Sequence, residues 1–192
     1  MKVAIVGFGF SAEKSHLPAY KNRSDIHLTA VVDPVTVRRA AALRQYPNIR
    51  VYEKFGDLLE EYSDEIDIVD ICVPNTFHME SVKQALGADK HVLCEKPLVL
   101  NKGEYDELVN IANERKRVLY PCHNYKFAPS IVHAAYLISL GEIGQPLFAS
   151  FNIFTANFQR EKPQLQSDFQ KDKELSSSGI IIDHGLDAIS VA

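Results

Sequence analysis

Apolar positions in this chain fall into short runs, separated by segments with helical spacing. The runs are residues 2–6 (KVAIV), 26–33 (IHLTAVVD), 49–52 (IRVY), 66–73 (IDIVDICV), 91–95 (HVLCE) and 117–123 (RVLYPCH). They are rich in Val and Ile and largely apolar, as strands covered on both faces are. Between them the spacing predicts helices over 11–22, 35–46, 76–88 and 101–116, with one or two helical turns over 55–62. In the 101–116 segment, Tyr105, Leu108, Val109, Ile111 and Ala112 form an i, i+3, i+4 stripe. Asn101 is placed to cap this helix, with Glu104 three positions on. Strands alternating with helices imply right-handed βαβ crossovers and a doubly wound α/β fold with a parallel sheet.

The pattern changes after residue 123. Residues 128–144 (APSIVHAAYLISLGEIG) read as a helix with Pro129 in its first turn and Gly141 near its stop. Residues 145–158 alternate as one long strand, with Leu147, Ala149, Phe151 and Ile153 on one face and Phe148, Ser150, Asn152 and Phe154 on the other. Residues 159–178 are a polar loop, and a further helix begins near the end. One long strand does not make a stable sheet, since three or more are normally needed. The expected organisation is therefore a complete α/β domain over 1–122 and a partial second domain over 123–192, as in a fragment or a chain needing a partner.

Composition narrows the class. The chain has 192 residues, 46% hydrophobic and 24% charged, with a formal net charge of −4. That balance favours neither nucleic acid nor an anionic membrane as partner. No apolar run reaches the roughly 18–20 residues needed to span a bilayer, and the N-terminus lacks a signal-peptide core. A cytoplasmic protein is expected. Cys72, Cys94 and Cys122 are odd in number and widely spaced. They fit small buried hydrophobes rather than a disulfide framework or metal site, and no metal is expected.

The first strand runs into Gly7-x-Gly9-x-x-Ala12 and then a helix, the context a dinucleotide-binding turn requires. Gly7 permits the turn, Gly9 admits a pyrophosphate to the backbone, and Ala12 lets helix and strand pack closely. Phe8, Phe10 and Ser11 complete that loop, and the helix N-terminus faces the phosphates. Asp33 ends the second strand 21 positions after Ala12, where an acid can accept both adenosine ribose hydroxyls. A carboxylate there favours NAD over NADP, whereas Arg38 and Arg39 pull the other way.

These elements, taken in order, resemble the Gfo/Idh/MocA oxidoreductase family, the glucose–fructose oxidoreductase and inositol dehydrogenase group. The resemblance rests on "VGFGFSAEKSHLPA", "VVDP", "DICVPNTFHMES", "HVLCEKPL", "LGEIGQPLFA" and "SSSGIIIDHGLDAIS". It covers essentially the whole chain, although family members are usually considerably longer. It implies a second domain built on a mostly antiparallel open sheet, through which a homo-oligomer is expected to form. It also implies hydride transfer between a nicotinamide cofactor and a sugar, polyol or inositol-type carbinol. The same family includes NAD-dependent glycoside hydrolases, and a non-catalytic nucleotide sensor is a further reading.

Loops after the first, fourth and fifth strands are expected to meet at one crevice. Val73, Pro74 and Asn75 end the fourth strand; Thr76 can cap the next helix, and His78 lies one turn into it. Glu95, Lys96 and Pro97 end the fifth strand. By resemblance Lys96 is the acid/base residue, the Lys96–Pro97 peptide is cis, and His78 lies at the cofactor edge. Glu95 is expected to contact the cofactor or orient the loop. Asn124, with Tyr125 and Lys126, resembles the segment entering the second domain, Lys126 standing where Arg is often found; Asn124 is assigned to the nicotinamide end. His16, His27, His91 and His133 have no converging partner in the sequence and read as structural or surface residues.

In the family an Asp, and a His four positions later, face this lysine across the substrate. Asp183 matches the Asp, but the later position is Asp187. His184 is one position from Asp183 and points about 100° away around a helix. Either Asp187 takes the polar role, or His184 does so by a different geometry, or the site is altered. The chain is expected to bind NAD while being poorly active.

Overall fold

The computed structural model describes residues 1–150, Asn152 and Ile189. Six strands form one sheet: β1 (Lys2–Val6), β2 (His27–Val32), β3 (Arg50–Tyr52), β4 (Ile68–Ile71), β5 (His91–Cys94) and β6 (Leu119–Pro121). Every pairing is parallel and the order is β3-β2-β1-β4-β5-β6. The two halves wind outward from β1, so the order reverses between β1 and β4, where doubly wound folds bind ligands.

The apolar runs predicted these strands well, because both sheet faces need cover. One face presents Ala4, Val6, Val69, Ile71, Val92 and Cys94. It is packed by Leu58 of α3 (Phe55–Tyr62), Val82, Ala85 and Leu86 of α4 (His78–Gly87), and Leu108 and Ala112 of α5 (Lys102–Arg115). The opposite face presents Ile5 and Val31, against Leu17 of α1 (Leu17–Lys21) and Ala42 of α2 (Thr36–Gln45). All three cysteines are free.

Local signals decide the helix ends. Asn101 caps α5 as its spacing predicts, its Oδ1 accepting the Glu104 N–H at 3.0 Å. α5 stops at Lys116, which takes the left-handed conformation at φ 52°. Tyr105, assigned to its apolar stripe, is instead half exposed, while Leu108 and Ala112 are buried. α6 (Pro129–Ser139) starts on its proline, and Gly141 follows its end at φ 74°. Thr76 does not cap α4; a 3₁₀ turn over Asn75–Phe77 leads into that helix with no side-chain cap.

The first helix departs from the regular form. Residues Ala12–His16 make a π-turn, in which the Leu17 N–H reaches the Ala12 carbonyl, before α1 continues. Residues 145–150, expected to open a long strand, pair with no described strand. An extended segment becomes a ladder only with a neighbour to bond. The rest of that strand and the second domain's sheet lie outside the described residues.

No described helix is long and apolar enough to cross a membrane.

Candidate functional site

β1 delivers the chain to Gly7, which holds φ 95° and donates its N–H to the Val32 carbonyl at 2.8 Å. A Cβ on Gly7 would stand 2.7 Å from the Cys72 carbonyl oxygen, so the turn lies hard against the end of β4. Only glycine satisfies both the dihedral and the contact. At Gly9 an added Cβ would meet nothing within 4 Å. The backbone there borders open space, as an approaching phosphate requires. Ala12 is fully buried against the sheet. Phe10 is exposed at the mouth of the turn, whereas Phe8 is buried in the core.

Asp33, also buried, ties the turn to the end of β2. Its Oδ2 accepts the Phe8 N–H and its Oδ1 the Val35 N–H, both at 2.8 Å. Arg38 Nη1 lies 3.5 Å from Oδ2, and Arg39 Nη1 donates to the Asp33 carbonyl at 2.7 Å. A carboxylate offers about four lone-pair positions. Asp33 therefore retains acceptor capacity for a hydroxyl, but it is already a structural anchor with a guanidinium beside it.

The β5 end carries Glu95, Lys96 and Pro97, and the Lys96–Pro97 peptide is cis. Glu95 Oε1 accepts Ser11 Oγ–H at 2.6 Å and His16 Nε2 at 2.9 Å, and Oε2 accepts the Lys96 N–H at 3.1 Å. Glu95 thus orients its own loop and joins it to the glycine turn. His16 Nδ1 reaches Asp70 Oδ2 at 2.8 Å; that atom also accepts Tyr20 O–H at 2.6 Å. His16 therefore corrects its sequence reading: two carboxylates converge on it. Burial alone would lower its pKa, but the hydrogen bonds to Asp70 and Glu95 raise it to about 10. Burial would raise the Glu95 pKa, yet His16 and Ser11 pull it down to about 2. Ligand atoms of His16, Asp70 and Cys72 gather within 4.8 Å. A doubly protonated imidazole has no lone pair for a metal, so the group reads as a hydrogen-bonded ion cluster.

The π-turn explains why Ser11 and His16 meet one carboxylate oxygen. Residues five apart are about 140° apart around an α-helix, and a turn closed by i→i+5 bonds brings them closer to the same side. Apolar spacing carries no signal of this, so the sequence reading missed His16. An early clue was available: His16 is a polar residue on the sheet-facing side of a helix.

His78 is buried at 1% exposure. Its Nδ1 lies 2.7 Å from the Pro97 carbonyl and its Nε2 2.9 Å from that of Val73. Burial lowers its pKa, so the neutral ring donates to one carbonyl at a time. It bridges the β4 loop (Val73, Pro74, Asn75) to the β5 loop. Asn124 begins a 3₁₀ turn just past β6 and is exposed. Lys126 stacks over Tyr120 and Phe127, 5.0 and 5.2 Å from their ring centroids. Burial pushes the Cys72, Cys94 and Cys122 thiols up, consistent with unreactive packing groups. Asp183, His184 and Asp187 lie outside the described residues.

Residues 1–123 match the model of an oxidoreductase family with an NAD-binding Rossmann fold. The chain belongs to the Gfo/Idh/MocA family. Among curated relatives, D-glucoside 3-dehydrogenase of Escherichia coli is 29% identical over the whole chain, which covers 53% of that protein. The NADP-dependent scyllo-inositol 2-dehydrogenase of Bacillus subtilis is 26% identical, over 96% of the chain and 49% of the relative. The structure of GenD2 from gentamicin A biosynthesis, in complex with NAD, aligns over the whole chain and 52% of its own, with TM-score 0.82 and 24% identity. That likeness is one of fold. The chain spans about half the length of the curated relatives it matches.

Proposed function

We propose that the protein is an NAD-dependent dehydrogenase of a sugar, polyol or inositol-type carbinol, with Lys96 as its acid/base. The single observation carrying this reading is the junction of two loops. The Ser11–Glu95 hydrogen bond at 2.6 Å ties the loop bearing Lys96 to the glycine turn. A lysine on that loop borders the crevice where a dinucleotide on the turn would lie.

The residues present fit such a cofactor. Gly9 leaves its backbone open to a phosphate, and the opening turn of the helix beyond it offers N–H groups without intrahelical partners. Asp33 keeps acceptor capacity for a ribose hydroxyl, and its charge disfavours a 2′-phosphate there. The same reading assigns Val73, Pro74, Asn75, Pro97 and Asn124 to the cofactor. A bound nicotinamide supplies the hydride acceptor.

Lys96 Nζ, as the free amine, takes the carbinol proton while the substrate carbon gives up hydride; in reverse the ammonium returns the proton. Desolvation and a neighbouring positive charge bring a lysine pKa toward the range this task needs. Asp183 supports Lys96 from the substrate side, with Asp187 or His184 completing the polar wall. Oligomerisation through the second domain's sheet accompanies this reading.

Lys96→Ala should cut turnover on a responsive polyol by about 10²-fold or more, with the NAD Kd changed less than about threefold. Equal turnover by the variant would sink the assignment. Steady net reduction of NAD separates a dehydrogenase from a hydrolase that recycles its cofactor. NAD binding without turnover on any carbinol would mark a nucleotide sensor.

A further inference from the structure

The sequence assigns His16 no chemical task, yet both of its ring nitrogens are engaged near the crevice. It is 8% exposed, and its two ring nitrogens meet two different carboxylates. The hydrogen-bond pattern around the two carboxyl groups favours one assignment of charges. Asp70 Oδ2 receives Tyr20 O–H and His16 Nδ1, while Oδ1 lies 3.6 Å from the Cys72 thiol. Glu95 receives Ser11 O–H, His16 Nε2 and the Lys96 N–H. Both His16 nitrogens point at carboxylate oxygens that the neighbouring hydroxyls and amide can serve as donors, the pattern of a ring that donates from both nitrogens. His16 is a buried imidazolium held between two anions.

We infer that His16 is a positioning residue for Lys96: it fixes and neutralises the Glu95 carboxylate from which the Lys96 backbone hangs. This rests on the reading of Lys96 as the acid/base residue. Asp70 at the end of β4 and Glu95 at the end of β5 face His16 directly, and Tyr20 from α1, Cys72 beyond β4 and Cys122 beyond β6 are the titratable groups around those carboxylates. The tyrosine and thiols are neutral, since burial pushes their pKa values up. With His16 charged, the two carboxylates leave one net negative charge in the cluster that holds the Lys96 backbone; with a neutral residue they leave two. The extra negative charge would favour the ammonium and withdraw the free amine that takes the carbinol proton.

The π-turn ties this device to the nucleotide site. Ser11 belongs to the glycine turn, and it shares Glu95 Oε1 with His16. A dinucleotide on the turn and the Lys96 loop are thus braced by one carboxylate.

The test is a side-chain NMR titration of this chain. In the wild type at pH 8, ¹⁵N spectra should show His16 protonated at both ring nitrogens; a neutral tautomer would overturn the inference. The Lys96 ¹³Cε signal, assigned through Lys96→Arg, should titrate about one unit higher in His16→Gln. It should return to the wild-type midpoint in His16→Gln/Glu95→Gln, which removes the uncompensated charge. A purely structural role for His16 predicts no such return, and an unmoved Lys96 midpoint in His16→Gln overturns the inference. Should His16→Gln not fold, the wild-type imidazole spectrum decides alone. The titration is independent of turnover. An active Lys96→Ala would defeat the functional reading, whereas an inactive Lys96→Ala with an unmoved titration would defeat only the role of His16.

Discussion

Ser11 and Glu95, 84 residues apart in the chain, share a hydrogen bond of 2.6 Å between Oγ and Oε1. It joins the loop after β1 to the loop after β5, across the intervening strand β4. Hydrogen bonds to a charged group contribute about 1.5–3 kcal/mol. Ser11→Ala should therefore destabilise the protein by about 1–2 kcal/mol in urea unfolding, with water recovering part of the loss. The Glu95 pKa should rise from about 2, measured by ¹³C titration of its carboxyl. An unchanged midpoint and pKa would mean that the two loops are held by other contacts.

The His16 cluster should make stability depend on pH in a defined window. The His16 pKa is raised from 6.5 to about 10. Its contribution is fully present below about 6.5 and is lost as pH rises toward 10. The Glu95 pKa is lowered from 4.5 to about 2. Its contribution is present above about 4.5 and is lost as pH falls toward 2. The two shifts share one interaction and do not add. The unfolding free-energy difference between wild type and His16→Gln should be largest between about pH 4.5 and 6.5. It should shrink on both sides, and a flat difference from pH 3 to 10 would contradict the ion pair.

Gly7 is placed where any side chain is penalised twice. Its φ of 95° disfavours L residues, and a Cβ would collide with the Cys72 carbonyl at 2.7 Å. Gly7→Ala should cost about 2 kcal/mol or more in equilibrium unfolding and should weaken nucleotide binding. Gly9→Ala meets no neighbouring atom. It should leave stability within about 1 kcal/mol while still weakening NAD in calorimetric titration. The contrast between the two variants separates a folding glycine from a binding glycine.

Cofactor preference should turn on Asp33 and its guanidinium neighbour. Arg38 is held 3.5 Å from the Asp33 carboxylate. Asp33→Ala removes the anion and frees Arg38 for a 2′-phosphate. NAD affinity should fall about tenfold, and the NADP-to-NAD affinity ratio should rise by more than that. The same change strips the acceptor from the Phe8 and Val35 N–H groups. Thermal unfolding should therefore be followed alongside binding. An unaltered ratio would place the discrimination elsewhere.

Much of this protein is legible along the chain because it depends on neighbours in sequence. Strand β1 is read at its observed limits because Val3–Val6 is apolar, between Lys2 and the glycine turn. Strand β4 is read too long, since Ile66 and Val73 are apolar but lie outside the ladder. Hydrophobicity marks burial, and pairing requires a partner in register. The glycine turn, Asp33 and Glu95-Lys96-Pro97 are visible because each needs a specific residue type at a strand end. The turn needs residues that tolerate its backbone, and the strand ends need groups able to face a crevice.

The sequence by itself determined the parallel sheet, the nucleotide-type turn and the lysine-bearing loop. Tertiary structure decided what the polar side chains near them do. His16 reaches partners 54 and 79 residues away, and only the strand order brings those partners together. His78, read as lying at the cofactor edge, is held between the carbonyls of two loops because its helix packs against β4 and β5. Local dihedrals and periodicity are written in neighbouring residues. A buried charge network exists only when distant strands close around it.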